Sequence, residues 1–254
     1  MQTSNQSDIV HKAWLYRVLE AIASDQYLSS VLYFKGGTCA SMLGWLDRFS
    51  VDLDFDYGGN SEDISRTCEV LESIFADLGL SIKDKSRNGI QYFLKYENNK
   101  NYGNTARNTL KIDASFPLFV SSKYISQRFL EIDRVFICQT KETMFSHKLC
   151  ALVDRFEKTG RIAGRDLYDI HYFFMNGYKY DPAVIEERVG LLPEEFFSKL
   201  IVFIEKYVTD QIITEDLSSL LLPQQFKILR KVLKREVIQL LKDEIAETIA
   251  GQGK

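Results

Sequence analysis

Asp52, Asp54 and Asp56 occupy alternate positions in the run from Val51 to Tyr57, and a Gly36-Gly37-Thr38 turn stands one short helix upstream. Carboxylates at i and i+2 of a strand share one face, where their oxygens suit a hard cation such as magnesium or manganese. Glycines at a strand-to-helix turn leave backbone N–H groups open to a phosphate. The combination points to chemistry on nucleotide phosphates, in which metal ions bridge phosphate oxygens and offset developing charge. Two metals are best shared by three carboxylates, and Asp113 is the candidate third acid because it interrupts an otherwise apolar strand. A carboxylate there is costly without a metal or a partner; a solvated sheet face or an arginine pair are the alternatives. Asp56, at the strand end, is expected to be exposed or to lie behind the metal ligands. Gly-Gly-Thr alone is a common tight turn, so its weight comes from the D-x-D that follows. Neither a P-loop nor a G-x-G-x-x-G fingerprint occurs, which argues against a Walker-type ATPase and a dinucleotide enzyme.

The elements that must position these residues are legible in outline. Ser7 or Asp8 can cap a first helix with Ile9, Ala13, Tyr16, Leu19 and Ala23 at helical spacing. Val31–Phe34 reads as a short buried strand and Thr38–Leu46 as a short helix. Val51–Tyr57 alternates with period 2, which places Val51, Leu53, Phe55 and Tyr57 toward a core and the aspartates toward a cleft. Glu62–Leu78 reads as an amphipathic helix ending at Gly79. Strands are expected over Ser81–Lys85, Gln91–Tyr96, Thr109–Phe116 and Arg134–Cys138, with a polar loop at 97–108. From Lys141 helices dominate: 141–158, 164–176, 182–189, 193–208 and 223–249, with Pro182, Pro193 and Pro223 at helix starts. The predicted architecture is α+β: a mixed sheet with flanking helices over residues 1–140, followed by a helical domain over 141–254.

The net charge of −3 over 254 residues argues against an indiscriminate nucleic-acid coat protein, though it leaves room for a local basic groove. Cys39, Cys68, Cys138 and Cys150 lack any C-x-x-C spacing and read as free thiols of a reducing compartment. No secretory signal pattern and no stretch of membrane-spanning length is visible, so the expected location is the cytoplasm, without membrane contact. His11, His147 and His171 show no zinc-ligand spacing. Cys39 reads as a packing residue, since nothing basic is arranged to activate it. The final helix carries Lys227, Arg230, Lys231, Lys234 and Arg235 opposite an apolar side, either a solvated face or a set of phosphate contacts.

Lys35-Gly-Gly-Thr-x-Ala40, followed by Arg48-x-Ser-x-Asp-Leu-Asp-Phe55, is similar to the nucleotidyltransferase superfamily related to DNA polymerase β. More specifically the chain resembles the AbiEii/AbiGii family, the nucleotidyltransferase toxins of type IV toxin–antitoxin systems. Lys148, Ala151 and Arg155 match the family's K-x-x-A-x-x-x-R helix, and Arg165, Asp166 and Asp169 match its R-D-x-x-D motif. The superfamily's commonest opening has Gly-Ser where this chain has Gly-Gly-Thr.

The resemblance implies roles. Gly36, Gly37 and Thr38 would contact the triphosphate of an incoming NTP. Asp52 and Asp54 would hold Mg2+ or Mn2+, with Asp113 completing the site. Lys148 would reach the phosphates, Asp166 would lie near it, and Asp169 and Arg165 would orient this lysine or contact nucleotide or acceptor. Ser50 would point into the same cleft as a candidate regulatory position, and the cleft would lie between the two halves. The implied reaction moves a nucleoside monophosphate to an acceptor hydroxyl, on RNA and specifically tRNA, in a toxin restrained by a cognate antitoxin. The competing readings are transfer to a small molecule or protein, and a non-catalytic nucleotide-binding or interaction module. Without the resemblance, Arg165 and Asp169 would read as a surface i,i+4 pair worth a few tenths of a kcal/mol.

Overall fold

The computed structural model describes residues 6–97 and 108–252, so the loop expected at 97–108 lies, apart from its end residues, outside the described residues. Two compact units emerge. One takes the described residues up to Leu118 together with Lys123–Thr140; the other takes Phe119–Ser122 and the described residues from Lys141 onward.

The first unit is built on a seven-stranded mixed sheet. In chain order its elements are α1 (Gln6–Ser24), α2 (Gln26–Val31), β1 (Leu32–Lys35), α3 (Gly36–Met42), β2 (Asp52–Tyr57), α4 (Ile64–Asp77), β3 (Ser81–Lys85), β4 (Ile90–Lys95), β5 (Thr109–Ser115), β6 (Tyr124–Phe129) and β7 (Arg134–Gln139). The strands lie in the order β3-β4-β5-β2-β1-β7-β6. β2 runs antiparallel to β1 and parallel to β5, and β1 runs parallel to β7. Alternation along the strands puts Leu53, Phe55, Tyr57, Leu110, Ile112, Tyr92, Leu94 and Phe34 into the core. Helices α1, α2 and α4 contact these strands. The aspartates of β2 take the other face, as expected from period 2.

Two expectations need correction here and a third is narrowed. The buried stripe of α1 is His11, Leu15, Val18, Leu19 and Ile22, while Ile9 is exposed. His11 is inside because its ring nitrogens are satisfied by the Tyr96 hydroxyl at 2.9 Å and the Val51 carbonyl at 2.8 Å. Strand β6 adds to the expected strands; its mostly exposed sequence, YISQRF, lacks a clean alternation because it is an edge strand. Of the two alternatives for Asp56, exposure is excluded: it is 5% exposed and closed in by three partners described below.

The second unit is helical: α5 (Lys141–Thr159), α6 (Gly164–Met175), α7 (Pro182–Val189), α8 (Pro193–Tyr207), α9 (Asp210–Leu217) and α10 (Pro223–Gln252). Pro182, Pro193 and Pro223 each open a helix, where a missing N–H is harmless. Leu233, Val237 and Leu241 of α10 are fully buried. Lys234, from its basic run, donates to the Glu205 and Val208 carbonyls at the end of α8, at 3.0 and 2.7 Å, where a cation complements the helix dipole. Helix α9 adds to the expected helices; Thr209 caps it through the Ile212 amide. No helix among the described residues is long and apolar enough to cross a membrane.

Candidate active site

A single row across four strands organises the polar face of the sheet. Asp54 stands opposite Asp113 on β5 and opposite Lys35 on β1, and Gln91 on β4 stands opposite Asp113. Two positions along, Asp52 stands opposite Lys111. Paired residues share a face, so two lysines and three aspartates crowd together.

The bonding within this group is uneven. The Lys111 ammonium is 2.5 Å from Asp113 Oδ2, and the Gln91 side-chain amide donates to the same oxygen at 3.0 Å. Lys35 turns away from Asp54 to bond Asp56 Oδ1 at 2.6 Å and the Ser115 hydroxyl at 2.9 Å. Asp56 also accepts from Tyr124 at 2.9 Å and Gln139 at 2.6 Å. The carboxylates of Asp52 and Asp54, both half-buried residues, make no hydrogen bond or ion pair among the described residues. Burial, and then the neighbouring Asp52 carboxylate, push the Asp54 carboxyl above its ordinary range, with Lys111 and Lys35 opposing the rise.

Gly36 and Gly37 open α3 directly against these residues. Gly36 has φ +80°, and a Cβ there would lie 2.5 Å from Asp54 Oδ2. Only glycine meets both conditions without strain. A Cβ on Gly37 would lie 2.7 Å from the Ser50 hydroxyl. Ser50 is buried and makes no hydrogen bond among the described residues. Thr38 does not present its hydroxyl to this face. It is fully buried and donates to the Asp52 carbonyl at 2.5 Å, so it ties α3 to β2 and positions the D-x-D from behind. Arg48, also buried, reaches the Phe49 carbonyl at 3.0 Å.

The carboxylates fit a divalent cation. Two adjacent acidic side chains lack partners, and one is held against its own burial and a like charge; a hard cation answers both conditions. Among the described residues no three acidic, histidine or cysteine side chains converge as a preformed cage. Magnesium does not require one, since it keeps several waters and shares its ligands with substrate phosphates.

The helical unit carries the remaining candidates as two ion pairs. Lys148 on α5 bonds Asp169 on α6 at 2.5 Å, with the Asp169 side chain 2% exposed. Arg155, two turns further along α5, bonds Asp166 at 2.8 Å. Both pairs join the same two helices, so Lys148 and Arg155 on one face of α5 meet Asp169 and Asp166 on α6. One expectation changes: Asp166 belongs to Arg155, not to Lys148, because the helices run in opposite directions. Of the readings for Asp169, the surface pair with Arg165 drops out, since Asp169 is buried and bonds Lys148. Arg165 is half-buried and makes no ion pair among the described residues.

Sequence alone assigns no role to Lys35, Lys111, Gln91 or Gln139. Their signal is register, since each becomes adjacent to a carboxylate only through strand pairing. Lys35 and Lys111 do lie within recognisable spacings, immediately before the glycines and two residues before Asp113.

A mixed sheet carrying a Gly-Gly turn, a D-x-D strand and a third acid on the parallel neighbour defines a nucleotidyltransferase fold. The profile of the family described as "Nucleotidyl transferase AbiEii toxin, Type IV TA system" matches residues 17–246, and the chain belongs to that family. The protein is a nucleotidyltransferase. Among solved structures it is similar to a putative nucleotidyltransferase from H. pylori, with 19% identity over 98% of this chain and 99% of that chain and a TM-score of 0.59. JHP933 from Helicobacter pylori matches with 20% identity over 99% of this chain and 100% of that chain, at a TM-score of 0.54. The nucleotidyltransferase toxin MenT4 from Mycobacterium tuberculosis H37Rv matches with 17% identity over 93% of this chain and 84% of that chain, at a TM-score of 0.53. At these identities the three structures support the fold. A comparison with curated proteins found no significant match.

Proposed function

We propose that this protein is a magnesium-dependent enzyme that moves a nucleoside monophosphate from an NTP to a hydroxyl of RNA, most specifically tRNA, and releases pyrophosphate. Its setting in this reading is the cytoplasm, as a toxin restrained by a cognate antitoxin. The observation that carries it is the pair of unpartnered carboxylates, Asp52 and Asp54, facing Asp113 beside the Gly36 backbone.

Asp52, Asp54 and Asp113 hold the divalent cation, which supplies charge neutralisation to the triphosphate. Gly36 and Gly37 bring backbone, without side chains, against the triphosphate. Asp113 takes the proton of the acceptor hydroxyl onto its carboxylate. Lys148, fixed in direction by Asp169, contributes positive charge to the phosphates. Arg165, lacking an ion-pair partner among the described residues, is available to nucleotide or acceptor. Ser50 lies against the glycine turn, so a bulky group on its hydroxyl would fill the space that Gly37 leaves open. Support for a nucleic-acid acceptor comes from α10, where Lys227, Arg230, Lys231 and Arg235 are exposed and suited to phosphate contact.

Incubation with α-labelled NTPs and separate pools of tRNA, bulk RNA, protein and small-molecule hydroxyl acceptors tests the assignment. Label on tRNA is expected. Label confined to protein or a small molecule would replace the acceptor, and magnesium-independent label would contradict the metal site.

A further inference from the structure

The acidic group presents a contrast within itself. Four aspartates share the polar face of β2 and β5, yet two are neutralised by lysines and two stand without partners. Those lysines differ in setting. Lys35 is 21% exposed at its side chain, but its partner is enclosed: the ammonium bonds Asp56 and Ser115, and the Asp56 side chain, 8% exposed, also accepts from Tyr124 and Gln139. Lys111 lies on the open sheet face, 29% exposed at its side chain, and bonds an Asp113 side chain that is 32% exposed. It also stands directly opposite Asp52.

From this we infer that Lys111 is the resident counter-ion of the metal-free site, an ammonium that occupies Asp113 until a divalent cation displaces it. Lys35 is a permanent positioning charge that does not exchange. The inference rests on the reading of Asp52, Asp54 and Asp113 as cation ligands. A lysine is suited to the exchange: its charge sits on a flexible four-carbon stem and its three donors rotate freely. It restrains mutual repulsion among the aspartates while no cation is present. Asp113 Oδ2 is held by both Lys111 and Gln91, so a cation at that oxygen must displace the ammonium. Once Asp113 turns to the cation, the released ammonium remains on the same face, where incoming phosphate oxygens can accept from it. Asp56 cannot follow that course, because its oxygens face inward to three donors.

The full-length protein, stripped with chelator and titrated with Mn2+ alone, tests this through the cation dependence of its thermal unfolding. Lys111→Met is expected to lower the unfolding temperature without metal and to tighten the apparent cation affinity roughly tenfold, because no like charge must leave. Lys111→Arg should behave as wild type in stability. Lys35→Met should also unfold earlier, but saturating Mn2+ should not restore it. Weaker or unchanged cation affinity in Lys111→Met would overturn the inference. Should Lys111→Met not fold, the wild-type lysine ammonium 15N signal that vanishes in Lys111→Arg provides the second readout: Mn2+ should shift or broaden it, and diamagnetic Mg2+ should release its slow proton exchange. An ammonium unaffected by Mg2+ would overturn the inference too. A cation response that survives in Asp52→Asn/Asp54→Asn would instead remove the metal-site reading on which it rests.

Discussion

Asp54 and Asp113 stand directly opposite one another on adjacent parallel strands, and only Asp113 is neutralised by a lysine. The enzyme thus keeps a half-buried carboxylate in an unfavourable state, its proton affinity raised by burial and by Asp52. On the proposed reading a cation offsets this state, and the site is expected to be locally less stable without one.

Linkage turns that state into a pH dependence. With its folded pKa raised above the ordinary 3.8, Asp54 binds protons more tightly in the native state than in the unfolded chain. Stability therefore falls as pH rises from the unfolded value through the raised folded one. In chelator, Asp54→Asn should gain stability relative to wild type as pH rises through that window, because the amide carries no charge to bury beside Asp52. The gain should vanish at about pH 3, where the carboxyl is protonated in both states. Urea unfolding of both proteins across that range checks it; a variant less stable than wild type at neutral pH would refute the electrostatic description.

Gly36 should tolerate no side chain. Gly36→Ala places a Cβ 2.5 Å from Asp54 Oδ2 at φ +80°, so a stability loss of about 1–2 kcal/mol is expected together with loss of transfer activity. Gly37→Ala meets the Ser50 hydroxyl first, at 2.7 Å. Its defect should be smaller in the Gly37→Ala/Ser50→Gly double variant, which removes the obstructing atom. Steady-state kinetics and denaturation midpoints of wild type and the three variants decide between them.

Arg155 should matter chiefly to folding. Arg155→Ala leaves the largely buried Asp166 without that partner, and about 2–3 kcal/mol of destabilisation is expected. Asp166→Ala in the same chain should recover part of it. Lys148→Met should depress transfer beyond any stability loss, most visibly in kcat/KM for the NTP. Equal effects of the two substitutions on kcat/KM, corrected for folded fraction, would assign Lys148 the same structural role as Arg155.

Legibility in the sequence follows the range of the interactions. The β2 alternation, the terminal glycines and the helix-opening prolines are local signals, and the elements they mark appear where expected. Asp52 and Asp54 share a face for the same local reason. The choice between an exposed and an enclosed Asp56 is not settled by sequence, because its partners, Lys35, Tyr124 and Gln139, come from three other strands, and only sheet order places them there. The exchange of partners between Lys148–Asp169 and Arg155–Asp166 depends on the antiparallel course of α5 and α6, which spacing along one helix does not encode. His11 interrupts an apolar stripe, and its burial makes sense only once Tyr96 and Val51 are brought to it.

The proposed function stands on Asp52 and Asp54 as the residues that hold the cation through which nucleotidyl transfer proceeds. Incubating wild type and Asp52→Asn/Asp54→Asn with total RNA, Mg2+ and α-labelled NTPs tests it most directly. Wild type should label RNA, and the folded double variant should fall to background. Undiminished labelling by the double variant would contradict that role.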